Sequence, residues 1–148
     1  MVLVQHILQA ARSRLAVLTR EASLFDAAAV LANRSTPLAV VCDSEGFAVG
    51  VISRDDIVTV LATARAAALE MNAGAIMSDP VLTCHLDETL ERVWADMNAH
   101  SLRCVPLLDD VGRPLGIVHA HDAARAVLDE VAYEEALLRD YVLGIGYQ

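Results

Sequence analysis

Two short stretches place a carboxylate three residues after a side chain able to hydrogen-bond. They are Ser53-Arg54-Asp55-Asp56 and His119-Ala120-His121-Asp122. Asp56 and Asp122 are therefore the leading candidates for ligand contact. The first stretch also has a local reading. Ser53 and Asp56 stand close to capping-box spacing, and an acid in a first helical turn favours the helix dipole. Ser53 serves either role or both, because a helix N-terminus also offers amide donors to a phosphate. His119 is a poor cap, which weakens the local reading of Asp122. His119 itself reads as a neutral donor, as a cation at lower pH, or as a plug. His119-x-His121 invites a metal reading with Cys104 or Asp122, but the sequence offers no clear third ligand, so no metal is expected. No Gly-x-Ser-x-Gly elbow and no P-loop occur, so no catalysis is expected.

Those residues need elements to hold them. Val17–Thr19 reads as a short strand. Ser23 caps a helix whose apolar face is Leu24, Ala27, Ala28 and Leu31, at helical spacing. Leu38–Cys42 is a continuous apolar run and hence a buried strand. Asp43–Gly46 is a turn, and Ala48–Ile52 is the next strand. Ser53 then opens a helix through Ile57, Val60, Leu61 and Ala64 towards Met71, with Gly74 as its stop. The second half repeats the order. Leu90, Val93, Trp94 and Met97 form a helix face, with Trp94 in the core or at a dimer contact. Arg103–Leu108 and Leu115–Val118 read as strands about a turn at Asp109–Gly112. A last helix runs from about Ala120 to Leu143, with Asp129-Glu130 and Glu134-Glu135 on a solvated face.

The repeat has a constant register. Gly46, Gly50 and Asp56 recur 66 positions later as Gly112, Gly116 and Asp122, and Leu24 recurs as Leu90. Val17-Leu18-Thr19 recurs 64 positions later as Val81-Leu82-Thr83. We read residues 1–74 as one unit with the N-terminal segment and linker, and residues 75–148 as the second with the C-terminal helix. Each is too small to stand alone, so the two share a core.

Composition narrows the partners. The chain has 148 residues, 55% hydrophobic but 4% aromatic, and its mean hydropathy is +0.43. Apolar runs are cut by charges within a few positions, so no membrane span is expected. A net charge of −9 with no basic stripe argues against nucleic acid and anionic membranes. Cys42, Cys84 and Cys104 form no disulfide framework and read as small buried hydrophobes in a reducing compartment. The N-terminal residues lack a signal peptide's pattern, and the expected location is the cytoplasm. So apolar a small chain is expected to bury surface against a second copy.

The residues also carry a family resemblance. Gly50-Val51-Ile52-Ser53-Arg54-Asp55-Asp56-Ile57 resembles the Gly-(Ile/Val)-(Ile/Val)-(Ser/Thr)-x-x-Asp-(Ile/Leu) motif of CBS domains. Ala75-Ile76-Met77-Ser78-Asp79-Pro80-Val81-Leu82-Thr83 and Arg103-Cys104-Val105-Pro106 resemble that family's lead-in and second strand. Val4-Gln5-His6-Ile7-Leu8 and Glu135-Ala136-Leu137-Leu138-Arg139-Asp140-Tyr141-Val142 resemble the ends of small stand-alone bacterial CBS pairs. The resemblance implies an α+β fold of two β-α-β-β-α repeats packed about a pseudo-twofold axis, a Bateman module. It implies a homodimer that regulates an unknown protein in trans, without catalysis. It implies adenine-nucleotide sites in the clefts between repeats, for AMP, ADP, ATP, NAD(H) or S-adenosylmethionine, with no required cofactor.

By the same resemblance, Asp56 and Asp122 accept from ribose hydroxyls, and Ser53 faces ribose or phosphate. Thr19 and Thr83 stand where the family places the base. Met77, Ala39 and Cys104 line an adenine slot or simply pack the core. Arg54, Arg103 and His119 complete the set, and Arg34 reaches a site or solvent. The chain departs from its relatives here. The arginine of the first motif is moved one place, Asp55 takes its former position, and a histidine is lost beside Arg103. Two acids repel a polyphosphate. A monophosphate, a nucleoside-like ligand and an empty site, hence a ligand-free scaffold, stay open.

Overall fold

The structure, a computed structural model, describes residues 1–146. A 3-10 turn at Val4–Ile7 leads into α1 (Leu8–Ser13). The first half follows as β1 (Val17–Thr19), α2 (Leu24–Leu31), β2 (Leu38–Cys42), β3 (Ala48–Ser53) and α3 (Arg54–Ala64). A 3-10 stretch (Arg65–Glu70) and α4 (Ala73–Ile76) lead into the second half. That half is α5 (Leu90–Ala99), β4 (Cys104–Leu108), β5 (Pro114–His119) and α6 (Ala120–Gly146). In the first sheet β1 runs parallel to β2, and β2 antiparallel to β3. The second sheet is the antiparallel pair β4–β5.

The repeat extends to irregularities. Both hairpins slip register at corresponding places, Val41/Cys42 and Leu107/Leu108. Asp43 Oδ1 accepts from the Glu45 and Phe47 amides, and Asp109 Oδ1 from those of Val111, Gly112 and Arg113. Gly46 and Gly112 close these turns at φ +89° and +100°. That backbone region is open to glycine and strained for other residues.

Three apolar clusters hold the molecule. In the first half Leu24, Ala27 and Leu31 of α2 pack against Ala39, Val41 and Ile52. In the second, Leu90, Val93 and Met97 pack against Val105, Leu107 and Val118, with Trp94 at the edge. A third cluster joins the sheets through Val40, Cys42 and Ile117, flanked by Leu15, Leu38 and Cys104. Fully burying one such leucine or isoleucine contributes about 1.5–3 kcal/mol.

Three sequence expectations change. The helix from Ser53 does not continue to Met71. It ends at Arg65, a non-glycine residue at φ +53°, and Gly74 lies inside α4. Val81–Thr83 is not a strand. Its pairing with β4 shrinks to one bridge, Cys84 with Leu107. In the first sheet the Val40 amide donates to Ala16 O at 2.9 Å. Its counterpart in β4 is Pro106, which has no N–H to give. Finally, the N-terminal segment does not pack in the half that follows it in sequence. Val4 and Ala11 are buried in the second core, and Ala73 and Ile76 are buried in the first. The two halves thus exchange their lead-in segments.

Candidate functional site

α3 begins with a complete capping box. Asp56 N–H donates to Ser53 Oγ at 3.2 Å, and Ser53 N–H donates to Asp56 Oδ2 at 2.9 Å. The local reading of this pair is therefore correct, and Asp56 Oδ1 takes no part in it. Ser53 and Asp56 border a cavity of about 200 Å³, walled also by Ser78, Asp79, Pro80, Leu102 and Cys104. Leu38, Ser53, Leu102 and Cys104 are shared with a wider groove of about 710 Å³ that carries Arg34, Asp55, Ser101, Arg103 and His119. The small cavity is the first cleft, and the wide groove it opens into takes corresponding residues from both halves, Ser53 with His119 and Leu38 with Cys104. Two carboxylates, Asp56 and Asp79, and two hydroxyls, Ser53 and Ser78, stand at the narrow end of this joined space, and three exposed arginines, Arg34, Arg54 and Arg103, at its broad one.

Of the residues expected here, Ser53, Asp56, Arg103, Cys104 and His119 come together. Arg54 borders the groove with its guanidinium already committed. Nε donates to Leu31 O at 2.7 Å and Nη2 to Asn33 O at 2.9 Å, holding the carbonyls at the end of α2. Ala39 is fully buried in the first core, so it forms no adenine slot. Met77 packs on the same core, over Gly50. Thr83 borders an adjoining cavity of about 240 Å³, which shares Val51, Asp79, Pro80 and Pro106 with the small one. Thr19 lies on a separate open surface beside Arg20 and Asp43.

Asp122 does not repeat the arrangement of Asp56. Its carboxylate is paired with the Arg14 guanidinium, and both side chains are about one-fifth exposed. Arg14 Nη1 and Asp122 Oδ2 are buried and make no other hydrogen bond. Sequence reasoning missed Arg14, although a signal existed. Counting back from the Val17/Val81 pair sets Arg14 against Ser78. It missed Asp79 too, which sits one residue beyond Ser78.

His119 caps α6 after all. Its Nδ1 accepts the His121 N–H at 3.1 Å, which requires Nδ1 to be unprotonated. Burial pushes the His119 pKa down, assisted by Arg14 and opposed by Asp122. The folded pKa thus lies below the unfolded value near 6.5, and the unfolded chain binds more protons across that window. The contribution to stability is intact above about pH 6.5 and is lost as pH falls through the folded pKa. Thermal melts from pH 7 to 5.5 are expected to fall more steeply for the native chain than for His119→Asn, which retains a short capping acceptor. Equal slopes would contradict this.

The rings of His119 and His121 stand edge to face at 6.5 Å. Among the described residues, no three His, Cys, Asp or Glu side chains are grouped to hold a metal. Burial raises the pKa of every thiol, that of Cys84 to about 12. Such thiols are poor nucleophiles. His85 is half-buried with Nδ1 3.2 Å from Leu108 O, whereas His6 and His100 are exposed. Glu130 is half-buried beside the Met1 ammonium rather than on a solvated face. Among the described residues no helix is long and apolar enough to cross a membrane.

The L-aspartate semialdehyde sulfurtransferase of Methanocaldococcus jannaschii is 32% identical over 103 residues, 70% of this chain, which spans only 19% of that protein. The CBS domain pair of protein MJ0100, crystallised with 5′-methylthioadenosine and S-adenosyl-L-methionine, is 27% identical. That match covers 88% of this chain and 98% of the other, with a TM-score of 0.72. A CBS-domain protein of Agrobacterium tumefaciens, ATU1752, is 25% identical over 84% of this chain and 98% of its own, with a TM-score of 0.71. The CBS domain profile itself matches residues 4–63 and 73–129. These matches and the duplicated strand-and-helix pattern agree: the chain belongs to the CBS domain family and carries that domain twice.

Proposed function

We propose that the chain is a regulatory module that binds an adenosyl ligand in the first cleft and acts, as a cytoplasmic homodimer, on a separate protein without catalysing a reaction. The observation that carries this is Asp56, held by Ser53 at the mouth of a small cavity that opens into a larger groove. A carboxylate so placed suits the two hydroxyls of a ribose. The 27% identical CBS pair with 5′-methylthioadenosine and S-adenosyl-L-methionine supports the same class of ligand.

The charges refine the class. Asp55, Asp56 and Asp79 line the joined space, while the free arginines are Arg34 and Arg103 at its broad end. Neutral or cationic adenosyl compounds fit this balance best, AMP next, and ADP, ATP and NADH least. The dimer reading rests on exposed apolar side chains along the helices. Val58 and Leu61 of α3 and Leu128, Val131, Leu138, Tyr141 and Val142 of α6 are open to solvent, and a second copy of the chain would cover them.

Thermal shift with 5′-methylthioadenosine, S-adenosylmethionine, AMP, ADP, ATP and NADH tests the reading. A ligand at a hundred times its Kd adds about 2.7 kcal/mol, a rise of about 5–10 °C for a chain of this size. No shift with any of them at millimolar concentration would favour a ligand-free scaffold.

A further inference from the structure

The two halves place different residues at corresponding positions around their clefts. With Val17 matched to Val81, Ser78, Asp79 and Pro80 of the first cleft correspond to Arg14, Leu15 and Ala16 of the second. In the first cleft these positions leave space and expose polar atoms to it. In the second, the Arg14 guanidinium takes the carboxylate of Asp122, the counterpart of Asp56. Leu15 packs with Val40, Ile117 and Cys104 in the cluster between the sheets. The backbone of Ala11 and Arg12 lies directly against Gly116.

We infer that the N-terminal arm is the built-in occupant of the second cleft, so that each chain takes one small ligand and takes it in the first cleft alone. Arg14 does at Asp122 what a ribose diol does at Asp56: it supplies the donors the carboxylate needs. The buried atoms of the pair have no other partner, so a ligand has to displace both Arg14 and Leu15 to enter. The two clefts therefore differ in kind, although their strands and helices match. The ligand half of this inference rests on the function proposed above, whereas the closure of the second cleft does not.

Two measurements on the full chain separate them. Equilibrium dialysis with 5′-methylthioadenosine is expected to give one bound per chain. The variant Arg14→Ser/Leu15→Ala, which empties the second cleft, is expected to give two. Two per native chain, or one per variant chain, overturns the inference. The second measurement is melting without any ligand. Arg14→Ser and Asp122→Asn are each expected to lower Tm, and the double variant to fall no further than the worse single one. Additive losses overturn the closure. If the native chain binds nothing, the functional proposal fails, and the unliganded melts alone decide whether the arm is docked.

Discussion

Gly116→Ala is expected to lower Tm by about 8–10 °C, whereas Gly50→Ala, at the matching position of the first half, costs about a third as much. A Cβ on Gly116 would lie 2.6 Å from the carbonyl carbon of Ala11, 2.7 Å from its oxygen and 2.8 Å from Arg12 N. These are backbone atoms of α1, and they have no rotamer to turn into. Relief requires the arm to lift from β5. The arm carries Val4 and Ala11, both fully buried in the second core. Val4 N–H donates to Glu88 O, and Leu90 N–H donates to Val2 O, at 2.9 and 2.8 Å. The three atoms nearest a Cβ on Gly50 all belong to the Met77 side chain, the sulfur at 2.5 Å, Cγ at 2.8 Å and Cβ at 3.0 Å. Methionine has three rotatable bonds and fills gaps readily. Overpacking a core costs about 1–3 kcal/mol, with Gly116 at the upper end and Gly50 at the lower. A kcal/mol is worth about 3 °C at this chain length. Equal losses at the two glycines would mean that the arm is not docked on β5.

That asymmetry marks where sequence reasoning stopped. Periodic apolar positions located α2, α5, α6 and the start of α3, but not the short α1 and α4, and the 66-residue register paired the two hairpins, because side-chain periodicity and turn chemistry are local properties. Ser23 and Ser53 as caps were legible for the same reason: each closes a capping box within four residues. The exchange of lead-in segments was not legible. Which half Val4 and Ala11 pack into depends on the space between α5 and β5, and no local pattern encodes it. Pro106 is an intermediate case. Its missing N–H was visible, but its effect on the neighbouring strand appears only once β4 is known to face residues 80–84.

The candidate site divides the same way. Asp56 and Ser53 were found because a motif of eight consecutive residues contains them. Ala39 and Met77 were open between core and cleft, since an apolar residue satisfies either, and the packing assigns both to the core. Arg54 was read as a cation for a ligand, yet the carbonyls ending α2 stand nearer and bind it first. Arg14 was overlooked because it lies outside every motif, more than a hundred residues from Asp122.

Asp56→Asn is expected to weaken the binding of 5′-methylthioadenosine about a hundredfold and to change the unliganded Tm by only a few degrees. The two effects separate because the two carboxylate oxygens do different work. Oδ2 closes the capping box with Ser53 N–H, and an asparagine carbonyl oxygen takes over that bond. What the helix loses is a charge in its first turn, worth about 0.3–1 kcal/mol. Asp56 borders the cavity and its Oδ1 takes no part in the capping box, so in the variant an NH2 in that place sets donor against donor at a ribose hydroxyl. Hydrogen bonds to a charged group contribute about 1.5–3 kcal/mol each, and about 1.4 kcal/mol is a factor of ten in affinity. Loss of one such bond and weakening of its neighbour therefore amount to about two decades. The 2′-deoxy ligand sharpens the test. It is expected to bind the native chain about tenfold more weakly than the parent, and to bind Asp56→Asn no more weakly than the parent does. Undiminished affinity in Asp56→Asn, measured on a variant that melts like the native chain, would remove the carboxylate from the site and leave it as a helix cap alone.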